Sequence, residues 1–295
     1  MREEIYGIVP PLTTPFRSDD TIDEDMLRAD VRYMLDVAKV HGLAVCGSTG
    51  EGHAVSTAET RRLTAVVAQE IKGRVPLITG VITESTSAAI ERGLAVKDLG
   101  VAALQVTPPH YLFRPTDEAL FNHYAAVAKG TGLPLIIYNV VPWTYLSPQL
   151  LTRIITEVEG VIGVKQSAGD FKLLADLLLM VGNRGRIMSA TDAVLYPSFM
   201  LGAHGAIAAI LSAAPTLCVK LWDAVQTGDY KLALALHEKL LPLWNTISAD
   251  NLPACVKCAQ ELQGRKAGVP RAPMPPSSPA QTAAIRAALQ GAGLL

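Results

Sequence analysis

Short apolar runs alternate along the chain with longer stretches in which apolar residues recur at helical spacing, and this rhythm repeats eight times before residue 228. Runs of that kind read as strands buried on both faces, and the helices between them make the strands parallel. The strands are expected at 6–10, 43–46, 76–79, 103–106, 134–138, 161–165, 186–189 and 206–209. Helix signals fall between them. Ser56-Thr57-Ala58-Glu59 is a capping box followed by Leu63, Val66, Val67 and Ile71 on one face, and Ser147-Pro148 sets an N-cap before a proline at the first helical position. Eight such units fit an α/β chain folded as a (β/α)8 TIM barrel, with a doubly wound open sheet as the alternative. After Gly228 the strand pattern stops. Residues 229–264 read as two helices joined near 248–253, residues 268–279 are proline-rich enough to be an extended connector, and 281–289 is a last short helix. The expected division is a barrel over 1–227 and a C-terminal helical extension over 228–295, together one structural unit.

In a barrel of this kind the chemistry gathers where strands end, so the polar residues there are the candidates. The sixth run, Val161-Ile162-Gly163-Val164, ends in Lys165, which strand alternation places on the face of Gly163 and Val161. If that face lines the barrel, burial favours the neutral, nucleophilic amine; otherwise the side chain snorkels into water. The fifth run ends in Tyr138-Asn139, and the same alternation allows Tyr138 and Lys165 to be interior neighbours, although a buried tyrosine also serves as a structural hydrogen-bonding group.

Three more loops are informative. Gly47-Ser48-Thr49-Gly50-Glu51 follows the second strand, and its amides and hydroxyls suit one carboxylate or phosphate, or else a plain tight turn with a helix cap. It lacks the Gly-Lys-Ser/Thr of a phosphate-binding P-loop. Thr107-Pro108-Pro109-His110-Tyr111 follows the fourth strand as a stiff loop that aims His110 or Tyr111 at the barrel mouth or carries a surface aromatic. Ser189-Ala190-Thr191-Asp192 follows the seventh, where Asp192 faces the site or caps the next helix.

Charge and composition narrow the function classes. The 26 basic and 27 acidic residues leave a net charge of −1, with no basic cluster interleaved with aromatics, so nucleic acid is not an expected partner. Met1-Arg2-Glu3-Glu4-Ile5 lacks a signal-peptide apolar region, and no apolar run approaches the roughly 18 residues of a membrane span; a cytoplasmic protein without membrane partners is expected. Cys255 and Cys258 have a metal-like spacing but sit inside a helix pattern with no second pair, and the six histidines are scattered, so no metal site and no cofactor are expected.

These loops in this order resemble the dihydrodipicolinate synthase and N-acetylneuraminate lyase superfamily of Schiff-base (β/α)8 lyases, over about residues 5–265. Gly7-Ile8-Val9-Pro10-Pro11-Leu12-Thr13-Thr14-Pro15-Phe16 resembles its first strand, 47–51 its GSTGE or GTTGE carboxylate loop, and Tyr138-Asn139 its YN tyrosine. Gly163-Val164-Lys165 resembles its Schiff-base strand, and Gly202-Ala203-His204-Gly205-Ala206-Ile207 the entrance to its eighth. The resemblance implies that Lys165 forms an iminium with a 2-oxo acid such as pyruvate, and that Tyr138 moves protons through a relay of Thr49 and Tyr111. It implies that Ser48 and Thr49, with Gly47, hold the substrate carboxylate, and that Ser167, Trp143, Asp192 and Ile207 line the remaining pocket. Tyr111 would reach across a subunit interface, in a homotetramer built from dimers.

The departures bear on the substrate. Lysine-pathway synthases carry an arginine in a YNVPxR-like run to bind a second carboxylate; here Trp143 stands near it, and an indole cannot grip a carboxylate with a fork. Sialate lyases carry an acidic residue where Ala193 follows Asp192. The expected activity is aldol cleavage, condensation or dehydration of a small 2-oxo acid other than through aspartate semialdehyde. Alternatives are a 2-keto-3-deoxy sugar-acid dehydratase, a cyclic-imine carboxylate deaminase, or a barrel that binds a 2-oxo acid without turnover.

Overall fold

The computed structural model describes residues 4–295; residues 1–3, which contribute to the expectation of no leader, lie outside the described residues. Eight parallel strands form one sheet: β1 (Gly7–Ile8), β2 (Leu43–Val45), β3 (Leu77–Val81), β4 (Ala103–Val106), β5 (Leu135–Asn139), β6 (Val161–Gln166), β7 (Arg186–Ser189) and β8 (Gly205–Ala206). Their order, β1-β8-β7-β6-β5-β4-β3-β2, steps through the sequence without a switch point, which removes the doubly wound alternative. The two ends of that order meet. Leu12 N donates to Ala44 O at 2.8 Å, Ala44 N donates to Pro10 O at 3.0 Å, and Pro11 pairs with Ala44 as a parallel bridge, so the sheet curls round as in a (β/α)8 barrel.

The helices are α1 (Glu24–Arg32), α2 (Thr57–Ile71), α3 (Thr86–Leu94), α4 (Asp117–Thr131), α5 (Pro148–Glu157), α6 (Phe171–Val181), α7 (Leu195–Met200), α8 (Ile210–Ala213), α9 (Pro215–Gln226), α10 (Tyr230–Ile247), α11 (Leu252–Leu262) and α12 (Pro279–Ala292). The capping box at Ser56 and Glu59 forms with both of its hydrogen bonds, and α2 then buries Leu63, Val66, Val67 and Ile71. Ser147 caps α5 through Leu150 N, with Pro148 at its first turn. Among the described residues no helix is long and apolar enough to cross a membrane.

Two expected strands are shorter than the apolar runs suggested. β1 stops at Ile8 because Pro10 and Pro11 have no N–H for the ladder, and β8 stops at Ala206 because the following residues turn into α8. At β6 the alternation also changes phase. Leu135 pairs with Val161 but Ile136 pairs with Gly163, an irregularity that turns Val161 outward to the helices while Gly163 and Lys165 keep the interior face. The interior is filled by Val9, Ala44, Ile78, Ile136, Met188 and Ile207, so the barrel is a packed core closed beneath its mouth.

His123 gives the fold a pH dependence. It is buried on α4, with Nδ1 2.9 Å from Thr86 Oγ1, and burial pushes its pKa down to about 4. The unfolded chain therefore binds this proton near the usual 6.5 and the native chain only near 4, so stability falls as pH drops through that window, by about 3 kcal/mol at full extent. His41, His204 and His237 are also lowered, mainly by burial, and act in the same direction. Urea midpoints measured from pH 7.5 to 4.5 should fall steeply in the wild type and less in His123→Gln; parallel curves would remove His123 as the cause.

Candidate active site at the barrel mouth

The site is built where β2, β5 and β6 end. Tyr138 and Lys165 are register partners on adjacent strands, both interior, with exposures of 4% and 3%. Lys165 Nζ lies 3.8 Å from the centroid of the Tyr138 ring. The phenol hydroxyl donates to Ser48 Oγ at 3.0 Å, which joins the carboxylate-loop candidate to the tyrosine and lysine. Of the residues expected to act together, the structure thus assembles Ser48, Tyr138 and Lys165 in one contiguous chain.

The β2 loop takes its shape from backbone that few residues adopt. Cys46 and Glu51 flank it with φ of 58° and 55°, left-handed values that are strained for these side chains and tend to cluster at functional sites. Two glycines make that turn possible. A Cβ on Gly52 would stand 1.9 Å from Cys46 O, and one on Gly80 2.2 Å from it, so neither position admits a side chain. Within this turn Gly47 and Thr49 are buried and Ser48 is half-buried. Its amides and the Ser48 and Thr49 hydroxyls are the groups there suited to an anion.

Asp192 does two things at once. Its Oδ1 accepts from Ile210 N at 2.7 Å, which ties it to the start of α8 rather than to the helix that directly follows it. Burial pushes its carboxyl up to about 6, opposed by that hydrogen bond and by Lys165 nearby. Ile207 is fully buried and donates its N–H to Ser189 O, and half-buried Ser167 donates its N–H to Asn139 O.

Two expected site residues stand elsewhere. Tyr111 is 83% exposed, with its backbone N–H on Glu84 Oε2 at 2.8 Å, so the relay through Thr49 to Tyr111 is not assembled within one chain. The contact of Tyr138 is with Ser48, the residue before Thr49. Trp143 is 62% exposed and its Nε1 donates to His110 O at 2.8 Å, so the indole lies at the outer rim with its one donor already used.

The sequence reading missed several polar groups that shape these loops. Asn139 Nδ2 donates to Gln166 Oε1 and to Leu146 O, and its Oδ1 accepts from Leu146 N, a clasp that folds the β5 loop back on itself. Gln105 is buried on β4 beside Gly47. A glutamine in the otherwise apolar run Ala103-Leu104-Gln105-Val106 was the available signal. Glu84 holds the β4 loop through the backbone of His110 and Tyr111, and no local pattern pointed to it.

Comparison with known proteins places this arrangement in a family. The chain matches the model of the dihydrodipicolinate synthetase family over residues 4–292. It is 33% identical to the 4-hydroxy-tetrahydrodipicolinate synthase of Methanopyrus kandleri, over 99% of this chain and 98% of that one. With the protein of the same name from Thermomicrobium roseum it shares 35% identity, over 97% and 94%. The crystal structure of the chloride-inhibited dihydrodipicolinate synthase from Acinetobacter baumannii, complexed with pyruvate, matches with a TM-score of 0.94 at 28% identity, over 99% of this chain and 100% of that one. A match of this extent settles kinship: the chain belongs to the dihydrodipicolinate synthetase family and is a class I lyase that works through a lysine Schiff base.

Proposed function

We propose that Lys165 forms the Schiff base, with pyruvate or a related small 2-oxo acid, and that the enzyme carries out aldol cleavage, condensation or dehydration on that adduct. The observation that carries the reading is the chain Ser48, Tyr138, Lys165, in which a buried amine lies over a phenol that is itself hydrogen-bonded to the anion loop. The amine adds to the ketone carbon and water leaves, giving an iminium whose positive charge draws electrons from the adjacent bond. That charge forms over the electron-rich face of the Tyr138 ring, which favours it. The Tyr138 hydroxyl moves protons at the carbonyl oxygen and at the reacting carbon, with Ser48 as its partner in the chain, and the amides of 47–50 hold the carboxylate.

We take the molecule to be a homotetramer built from dimers in which Tyr111 completes a neighbour's relay. The exposure of Tyr111, Leu112 and Phe113 on one loop supports this, since a run of large apolar side chains is unusual on a free surface. We likewise read the barrel (1–227) and the helical extension (228–295) as one unit, supported by the buried Arg265–Asp30 pair between them at 2.6 Å.

The electrophile turns on Trp143. A condensation of pyruvate with aspartate semialdehyde would bring a second carboxylate beside that of pyruvate, and it needs a cation; Trp143 offers none, and its N–H is held by His110 O. A substrate that is neutral or hydroxylated at that end is therefore the reading we favour. The charge-assisted contact missing there is worth about 1.5–3 kcal/mol, so kcat/KM with aspartate semialdehyde should be roughly ten- to a hundredfold below that of the best 2-keto-3-deoxy sugar acid or cyclic imine carboxylate in a panel. If aspartate semialdehyde leads the panel, another cation holds its carboxylate and the argument from Trp143 fails.

A further inference from the structure

Behind the anion loop lies a buried ion pair that the chemistry above does not use. Glu51, the last residue of that loop, is 1% exposed and accepts from Lys257 Nζ of α11 at 2.6 Å; Lys257 is 2% exposed. Every polar atom of this pair is engaged from the C-terminal segment. The second carboxylate oxygen of Glu51 accepts from Arg271 N at 2.8 Å, and Lys257 Nζ also donates to Val269 O at 2.7 Å. The Arg271 guanidinium then reaches Ala54 O and Glu59, on the chain leaving the loop. From the other side Thr14 Oγ1 donates to Gly50 O at 2.6 Å.

A loop whose last residue is held at a left-handed φ needs an external restraint, because the relaxed backbone would turn its amides elsewhere. The restraint here comes from more than 200 residues away and grips the side chain of the residue that directly follows the 47–50 amides. We propose that Lys257 is a positioning residue for this enzyme: acting through Glu51, it holds the 47–50 amides in the conformation that receives the substrate carboxylate. The α11 helix and the connector after it are then part of the binding site rather than an appendage to the barrel. The proposal builds on the pyruvate reading above, but the clamp itself is testable without any ligand.

A second pair serves as the internal comparison. Arg265 and Asp30, exposed by 6% and 7%, tie the end of α11 to α1 and do not touch the loop. If buried pairs of this segment only held the extension down, breaking either one would have the same effect.

The experiment measures deuterium uptake of unliganded wild type, Lys257→Met and Arg265→Met, together with the pyruvate concentration that half-saturates borohydride trapping. In Lys257→Met, uptake in 46–52 should rise about tenfold in rate while 161–168 stays as in the wild type, because only the loop is released. Half-saturating pyruvate should rise about tenfold with the final extent of trapping unchanged, since the amine is untouched. Arg265→Met should lower thermal stability and leave both loop readouts alone. Should Lys257→Met fail to accumulate as folded protein, the neutral pair Glu51→Gln with Lys257→Met removes the stranded buried charge and carries the same expectation. Unchanged uptake in 46–52, or a rise spread equally over the chain, overturns the proposal. Absence of trapping in the wild type overturns the pyruvate reading instead, and the exchange data still decide the clamp.

Discussion

Lys165→Ala abolishes borohydride trapping of pyruvate and, with it, turnover. Intact mass should show one pyruvate-derived adduct per wild-type chain, and peptide mapping should place it within 161–170. The expectation rests on position. Lys165 lies in the barrel interior, paired across the strand with Tyr138 and over its ring, where a lysine with only a structural role would be poorly solvated. Losing the nucleophile removes the covalent route entirely, so the effect is a loss of activity rather than a reduction. The variant also deletes a buried side chain, so the control is a melting curve, with Lys165→Met to refill the volume. An adduct mapped to another lysine, or trapping that survives in both variants, sinks the assignment.

Tyr138→Phe lowers kcat by about 10²–10⁴-fold, the usual contribution of a positioned acid–base group, with a much smaller change in KM. The substitution keeps the ring beneath Lys165 and removes only the hydroxyl that reaches Ser48. Trapping at saturating pyruvate should therefore still occur, more slowly, while proton transfer after it is lost. Ser48→Ala supplies the companion test: it leaves the phenol in place without its partner and should give an intermediate effect. A Tyr138→Phe enzyme within about threefold of wild type would take the phenol out of the mechanism.

The pairing of Tyr138 with Lys165 was legible in the chain itself. Both close apolar runs, and alternation on two consecutive strands of a parallel barrel allowed the two side chains to share the interior, where the register pairs them. The eightfold strand rhythm, the caps of α2 and α5, and the two helices α10 and α11 followed from equally local signals. What local spacing cannot express is phase and distance. The irregularity at Leu135 and Ile136 turned Val161 outward, because strand pairing rather than alternation alone sets the face.

The polar contacts were decided by the folded molecule. Tyr138 reaches Ser48 across 90 residues and Lys257 reaches Glu51 across 206, and no periodicity links such positions. Trp143 shows the same limit at shorter range. Its residue type determined that no guanidinium would stand there, but only the closure of the β4 and β5 loops decided that its N–H would be spent on His110 O. Residue types and periods thus determined which groups lie at the ends of which strands. The tertiary structure decided which of them touch, because a hydrogen bond depends on loop geometry and side-chain direction to within a few tenths of an ångström.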